Sequence, residues 1–303
     1  MVTALRHAIR DIVGELLGAG DGADERTRFS TAPMGQVPAE AVRASEMRHL
    51  LPGGLTSPAS LAREVDELGA WCLRCGYSVR VNLPGRRCCG RCAGHAMSRQ
   101  GTVRLSTYGD ERAWGAVVRE VKFGKDRRGG RVLGQALGNQ WMRLAALDEA
   151  PHPTRIACIV PVPMPWQRRI DRGIDHTWCI GQAFAGWVGV PLLPLLSQRV
   201  GPPQRAQGRV ARLQRGGVAA RMIGRRDLAQ ALLAPRTPLL MRGIPHGWSL
   251  RQARQRVQAG CRTVIVLDDV LTTGATIEEC GCALKSMLGR DFRIWAGVGC
   301  VTD

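Results

Sequence analysis

Val264-Ile-Val-Leu-Asp-Asp-Val-Leu-Thr-Thr-Gly-Ala-Thr276 is the stretch on which the fold turns. Four consecutive apolar residues, three of them β-branched, predict a strand buried on both faces, the pattern of a parallel sheet. Asp268 and Asp269 follow at the strand's C-terminal end. A short turn rich in threonine and glycine comes next, and from Ile277 the spacing of Cys280, Ala283, Leu284 and Met287 predicts a helix. Backbone N–H groups of Thr273, Gly274, Ala275 and Thr276 at a helix N-terminus are able to wrap a phosphate, helped by the helix dipole. The threonine hydroxyls, Thr272 included, add donors, and Gly274 lets the backbone approach closely. The two aspartates then lie about one ribose away, placed to accept hydrogen bonds from sugar hydroxyls or to hold a divalent cation. The plainer alternative is an ordinary buried strand with a glycine turn. Against it, two adjacent carboxylates at a strand end are costly to bury without a task.

At 303 residues and 45% apolar content the chain has room for a sizeable core in one large domain or two. Its formal charge of +18 comes almost wholly from arginine, since only Lys122, Lys125 and Lys285 are lysines. Such a chain attracts polyanions, a class that includes phosphorylated small molecules and nucleic acid. Basic residues crowd between Arg199 and Arg226 and between Arg242 and Arg262. Neither run has the interleaved aromatics of a single-strand binding platform, and solvated surface is the simpler reading. No run of about 18 apolar residues occurs, so no membrane span is expected. Arg6, Arg10, Asp11 and Glu15 interrupt any apolar stretch near the N-terminus, which therefore does not read as a secretory signal. Eleven cysteines without such a signal imply a reducing compartment, and the expected location is the cytoplasm. Residues 1–66 read as an extension: one amphipathic helix, a polar Gly/Ala/Pro-rich linker, and a second possible helix near Ala39 to Leu51.

Cys72-Leu-Arg-Cys75 and Cys89-Gly-Arg-Cys92 are two Cys-x-x-Cys pairs separated by thirteen residues. Two such knuckles can present four thiolates tetrahedrally to one zinc ion, with room between them for a small hairpin. Four thiolates leave no open position, so the zinc is expected to be structural and to fold a segment with little core of its own. Cys88 beside Cys89 leaves the register open, and His95 is an alternative to Cys92. A redox dithiol, or idle thiols, is the competing reading. Arg74, Arg80, Arg86, Arg87 and Arg91 make residues 67–104, the expected zinc ribbon, the best candidate for touching an anionic partner.

From about Leu105 to the end, short apolar runs alternate with helical stretches, which predicts a mostly parallel α/β sheet flanked by helices. Helices are expected over Ala113 to Lys122 and Val132 to Leu147. A strand is expected at Ile156 to Val160, running into Pro161-Val-Pro163, and another at Ile294 to Val298. Lys122, Gly124, Lys125 and Arg127-Arg128-Gly129-Gly130 read either as a mobile lid contacting phosphate or as a solvated basic turn. His176 reads as a structural histidine before a general acid.

The stretch from Val264 to Thr276 resembles the signature of the type I phosphoribosyltransferases, which bind 5-phosphoribosyl-1-pyrophosphate. With the cysteine pairs, residues 70 to 303 resemble the ComF family, bacterial proteins with a zinc ribbon joined to a phosphoribosyltransferase domain. Tyr108 and Gly109 followed by Val118-Arg-Glu-Val-Lys-Phe123 are similar to that family's link into its first helix. Val160-Pro-Val-Pro163 with Arg168, Arg172 and Gly173 resembles its pyrophosphate-side loop. The resemblance implies Asp268 and Asp269 on the ribose side and Thr272 to Thr276 around the 5′-phosphate. It also implies Pro163 with Arg168 and Arg172 toward the pyrophosphate, and Mg²⁺ bridging pyrophosphate and ribose hydroxyls. Three departures stand out. Ile174, Asp175 and His176 replace the family's Phe-Asn-Gln, a basic insertion occupies about residues 225–260, and Thr272 stands where salvage enzymes of this fold commonly carry an aspartate. Two functions follow as expectations: transfer of a phosphoribosyl group to a nitrogen acceptor, or a non-catalytic protein of DNA uptake using ribbon and basic surface to meet DNA or a competence partner.

Overall fold

The computed structural model describes residues 71–79, 88–109, 113–198, 222–233 and 247–302. The expected N-terminal extension lies outside them. Strand β5 (Thr263–Leu271) is the centre of the fold, with Val264, Ile265, Val266 and Leu267 fully buried. It is flanked by β6 (Arg293–Val301) on one side and β2 (Ile156–Pro161) on the other, and β1 (Arg99–Thr107) pairs with the far edge of β6. The order β1-β6-β5-β2 is parallel throughout, with Ile265 opposite both Ile159 and Trp295. The molecule is therefore α/β with a four-stranded parallel sheet flanked by helices. Strand β5 continues through the acidic doublet to Leu271, four residues further than its apolar run, because backbone pairing with β6 persists at Asp268, Val270 and Leu271.

Alternation along β5 sends Ile265 and Leu267 to one face and Val264 and Val266 to the other. The first face is covered by α1 (Ala113–Phe123), α2 (Arg127–Ala146) and, beyond the short α3 (Trp166–Arg172), α4 (His176–Val188). Asp126 starts α2 by accepting the amides of Arg128 and Gly129, so Arg127 to Gly130 is the first helical turn. That corrects the loop expected there from its glycines: the capping carboxylate outweighs them. Trp141 on α2 is fully buried, edge-on to Phe184 and Trp295, and donates its indole N–H to the Pro151 carbonyl at 3.0 Å.

The opposite face is covered by α5 (Arg226–Leu233), α6 (Gly247–Gln258) and α7 (Ala275–Leu288), the first following a two-stranded ribbon of β3 (Leu196–Gln198) and β4 (Met222–Gly224). Much of the expected basic insertion is thus core-forming. Leu228, Leu232, Leu250 and Ala253 are buried, and Arg256 donates to the carbonyls of Pro153, Ile156 and Gly189. No helix among the described residues is long and apolar enough to cross a membrane.

Helices α2 and α4 approach so closely that Gly134 leaves no room for a methyl group. A Cβ there would stand 2.3 Å from the Ile180 carbonyl oxygen and 2.8 Å from the Ala183 Cβ. Gly134→Ala should therefore force the helices apart and cost ~1–3 kcal/mol in urea unfolding. Gly186→Ala, on the exposed side of α4 with nothing within 4 Å of its Cβ, should instead gain up to ~1 kcal/mol. Equal effects from the two would contradict this packing.

Candidate functional site

Neighbouring strands β2 and β5 send their following chains to opposite faces of the sheet. After β2 the chain leads to α4 on one face, and after β5 it leads to α7 on the other. A divergence of this kind opens a crevice beyond the carboxyl ends of the two strands, the place where open α/β sheets bind ligands. On one side stands the Val162–Pro165 segment, held by the Val162 amide donating to Leu267 O at 2.8 Å. On the other stands Thr272 to Thr276.

This second loop is open at its backbone. Gly274 takes φ +78°, a left-handed conformation that suits glycine, and ends the loop at the start of α7 without any side-chain cap. Thr272, Thr273, Ala275 and Thr276 are exposed. The Ala275 amide reaches Thr273 Oγ1 only at 3.4 Å, and no described residue accepts from the amides of Thr273, Gly274 or Thr276. These are the unpaired donors of a helix N-terminus, reinforced by its dipole.

The acidic doublet is split by the strand's alternation. Asp268 sits on the α7 side, its Oδ1 accepting the Asp269 amide at 2.9 Å. Burial, and then the charge of Asp269, push its carboxyl well above the usual carboxylate range. Asp269 faces α1 and α4 and is 4% exposed. Its Oδ2 lies 2.7 Å from His176 Nε2 and 3.1 Å from Lys122 Nζ. Burial alone would raise its carboxyl, but the partnership with His176 and the charge of Lys122 outweigh that and hold it down, at about 2. Arg172 approaches the other ring nitrogen of His176, Nδ1, at 3.1 Å. The same Arg172 nitrogen lies 3.4 Å from Nε2, so the guanidinium sits against the imidazole ring and, having no acceptor, can only donate there. Arg172, His176, Asp269 and Lys122 therefore form one continuous polar chain beneath the crevice.

The sequence singled out Arg172, Lys122 and Asp269 separately, and the fold joins them through His176. The altered Ile174-Asp175-His176 turn has a structural account: Ile174 is buried, Asp175 caps α4 through the Trp178 amide and pairs with Arg169 at 2.6 Å, and His176 completes the chain. Pro163 is half-buried at the crevice, while Arg168 is exposed on α3.

A second constellation abuts the first. The thiols of Cys72, Cys75, Cys89 and Cys92 lie within 4.8 Å of one another and could hold a metal ion. Sγ–Sγ separations are 3.7 Å for Cys72–Cys92, 3.6 Å for Cys75–Cys89 and 3.8 Å for Cys89–Cys92. A tetrahedral site with ~2.3 Å metal–sulfur bonds has edges of ~3.8 Å, so the donor set fits a thiolate-binding ion. Cys72 is drawn down to about 4, first by the hydrogen bond from Cys75, while burial first pushes Cys92 up to about 12. Cys88 stands outside the four, 3.3 Å from Cys92 and 3.7 Å from Arg74 Nη1, and the exposed His95 engages through its backbone. Arg91 stacks on the Tyr77 ring at 3.9 Å, so both Arg74 and Arg91 have partners inside this segment.

Two residues here escaped sequence reading. Tyr77 donates its hydroxyl to the Thr272 carbonyl, and the buried Arg99 pairs with Glu278 in the first turn of α7. Their partners are 195 and 179 residues away, so no local pattern signals them.

Comparison with family models, with curated proteins and with solved structures finds no match to the chain.

Because the folded Asp269 carboxyl titrates at about 2 and an unfolded one at about 4, this group stabilises the fold above pH ~4, a contribution lost as pH falls through about 2. Asp269→Asn should cost ~1–3 kcal/mol at pH 7, and its deficit against the wild type should shrink below pH ~4. Urea denaturation across pH measures it, and a deficit independent of pH would contradict the assignment.

Proposed function

We propose that this protein is a phosphoribosyltransferase-like protein of the ComF type, binding 5-phosphoribosyl-1-pyrophosphate in the crevice between β2 and β5 and transferring the phosphoribosyl group to a nitrogen acceptor. One observation carries the reading: a loop of unpaired amides and three threonine hydroxyls opens an uncapped helix at the sheet's divergence point, two residues beyond a pair of carboxylates. Phosphate complements such a loop in charge and in hydrogen bonding.

In this reading the amides of Thr273 to Thr276 hold the 5′-phosphate. Asp268, its carboxyl raised above the usual range, faces the ribose hydroxyls. Asp269 acts at one remove, pinning Lys122 and His176 under the sugar. Arg172 and the backbone after Pro163 supply donors for the pyrophosphate. The bond from the anomeric carbon to pyrophosphate oxygen breaks as the carbon–nitrogen bond forms, and the proton given up by the nitrogen passes to the departing pyrophosphate. The chain's contribution is to hold the two reactants in line and to stabilise the charge on the leaving oxygen.

A resident magnesium site is not supported by these side chains. Asp268 and Asp269 point to opposite faces, and Asp269 is already paired with two basic groups. Magnesium would instead arrive bound to the pyrophosphate. For the cysteine cluster we propose a structural zinc ion held by Cys72, Cys75, Cys89 and Cys92, a set that leaves no coordination position for substrate. The alternative of a non-catalytic protein of DNA uptake draws no specific support from the described residues, since Arg74 and Arg91 are engaged within the cysteine segment.

Calorimetric titration with phosphoribosyl pyrophosphate and Mg²⁺ should show one site. Gly274→Val should weaken binding at least ~10-fold, because it strains a positive φ and brings a side chain against the Arg99 guanidinium, 3.4 Å from where a Cβ would stand. Pyrophosphate release, assayed over free bases, ammonia and amines, separates transferase from binder. No binding by the wild type would remove the reading.

Elemental analysis should find one zinc per chain, lost on Cys75→Ser and kept on Cys88→Ser. Loss in both, or in neither, would contradict the ligand set.

A further inference from the structure

The cysteine cluster and the phosphate loop share a wall. The first knuckle, Cys72 to Cys75, runs alongside β1, and all four carbonyls from Leu73 to Gly76 are held by that strand. Leu73 O accepts the Thr102 amide at 2.6 Å and Arg74 O accepts Thr102 Oγ1 at 3.1 Å. Cys75 O accepts Arg99 Nη2 at 3.2 Å, and Gly76 O accepts Arg104 Nη1 at 2.9 Å. Arg99 then continues to the loop: its guanidinium ion-pairs with Glu278 and lies beneath Gly274. Glu278 in turn accepts the Ser98 amide, closing the contact between the start of β1 and the start of α7. Two residues past Cys75, Tyr77 donates its hydroxyl to the Thr272 carbonyl, the first residue of the loop. Gly76, at φ +85°, fits between Thr102 and Leu271, the residue just before that loop.

Each link has little slack. Arg99 is 3% exposed, so moving Cys75 away would strand a buried guanidinium donor, and moving Glu278 would strand its charge. Thr272, Thr273, Ala275 and Thr276 are exposed around a buried Gly274 and make few bonds of their own, so the shape of the loop depends on these neighbours.

We propose that Tyr77 and Arg99 are positioning residues through which a metal ion on the four cysteines fixes the shape of the Thr272–Thr276 loop. The ion clamps the two knuckles together, the first knuckle holds Arg99 and Tyr77, and these hold Gly274, Glu278 and Thr272. Loss of the metal on chelation frees the knuckle and disorders the amides that face a phosphate. The structural link rests on the metal reading alone, and its effect on ligand binding rests on the phosphoribosyl reading.

Hydrogen exchange on the full-length protein tests the two separately. Zinc-loaded and chelated forms are compared for wild type and for Tyr77→Phe, which keeps the ring against Arg91 and removes only the hydroxyl. Chelation of the wild type should speed exchange about tenfold at the loop's hydrogen-bonded exit, residues 278–281, where the Glu278 amide donates to Gly274 O, while β2 and α2 stay protected. Zinc-loaded Tyr77→Phe, with its full metal content, should already exchange faster at that exit and respond less to chelation. Exchange there that is indifferent to chelation overturns the proposal. So does a uniform rise across the sheet, which would make the metal a support of the whole fold. In parallel, ribose 5-phosphate is titrated into both forms, and chelation should weaken its binding about tenfold, in step with the exchange. If the zinc-loaded protein fails to bind ribose 5-phosphate at all, the phosphoribosyl reading falls and the exchange result still decides the coupling.

Discussion

A parallel strand must end in unpaired backbone. The constraint follows from geometry: its neighbour runs the same way, so no tight turn closes the ladder, and the chain must leave for one face or the other. In this protein β2 and β5 leave for opposite faces, and the Thr272–Thr276 loop is where the resulting open donors collect. The buried ladder of Val264 to Leu267 holds that loop's starting point fixed. From there the remaining features are consequences. Asp268 and Asp269 occupy the last turns of the pleat, and alternation gives them different neighbours and opposite shifts in acidity.

Charge in this molecule does more inside than its surface-heavy composition suggests. Arg99, Arg104 and Arg254 are buried, and Arg256 binds three carbonyls at the seam between α6 and the start of β2. Arginine suits such sites because its fork of donors satisfies several carbonyls at once without losing its charge. Part of the +18 is therefore structural glue, and net charge alone is a weak argument for a nucleic-acid partner.

What the sequence made legible was whatever is local. The β-branched run at Val264, the doublet after it and the paired cysteines each declare themselves within a few residues, and the structure has β5, the loop and the four-thiol cluster at those positions. Strand β1 was illegible for a physical reason. Thr102, Arg104 and Ser106 alternate with Val103 and Leu105 as in a half-exposed strand, yet these three and Arg99 are all buried, and Arg99, Thr102 and Arg104 bond the cysteine knuckle. Asp126 turned an apparent glycine loop into helix, a reminder that one capping carboxylate can outweigh two glycines. His176 could be placed near the site from sequence, but its partner Asp269 lies on a strand 93 positions later, which only tertiary structure reveals.

The central claim is that the open amides after β5 receive a sugar phosphate, and backbone amide shifts of the labelled protein test it directly. On titration with ribose 5-phosphate, the account predicts the largest changes at Thr273, Gly274, Ala275 and Thr276, saturating together with a single affinity. Changes centred elsewhere, or no saturable change at these four amides, would contradict it.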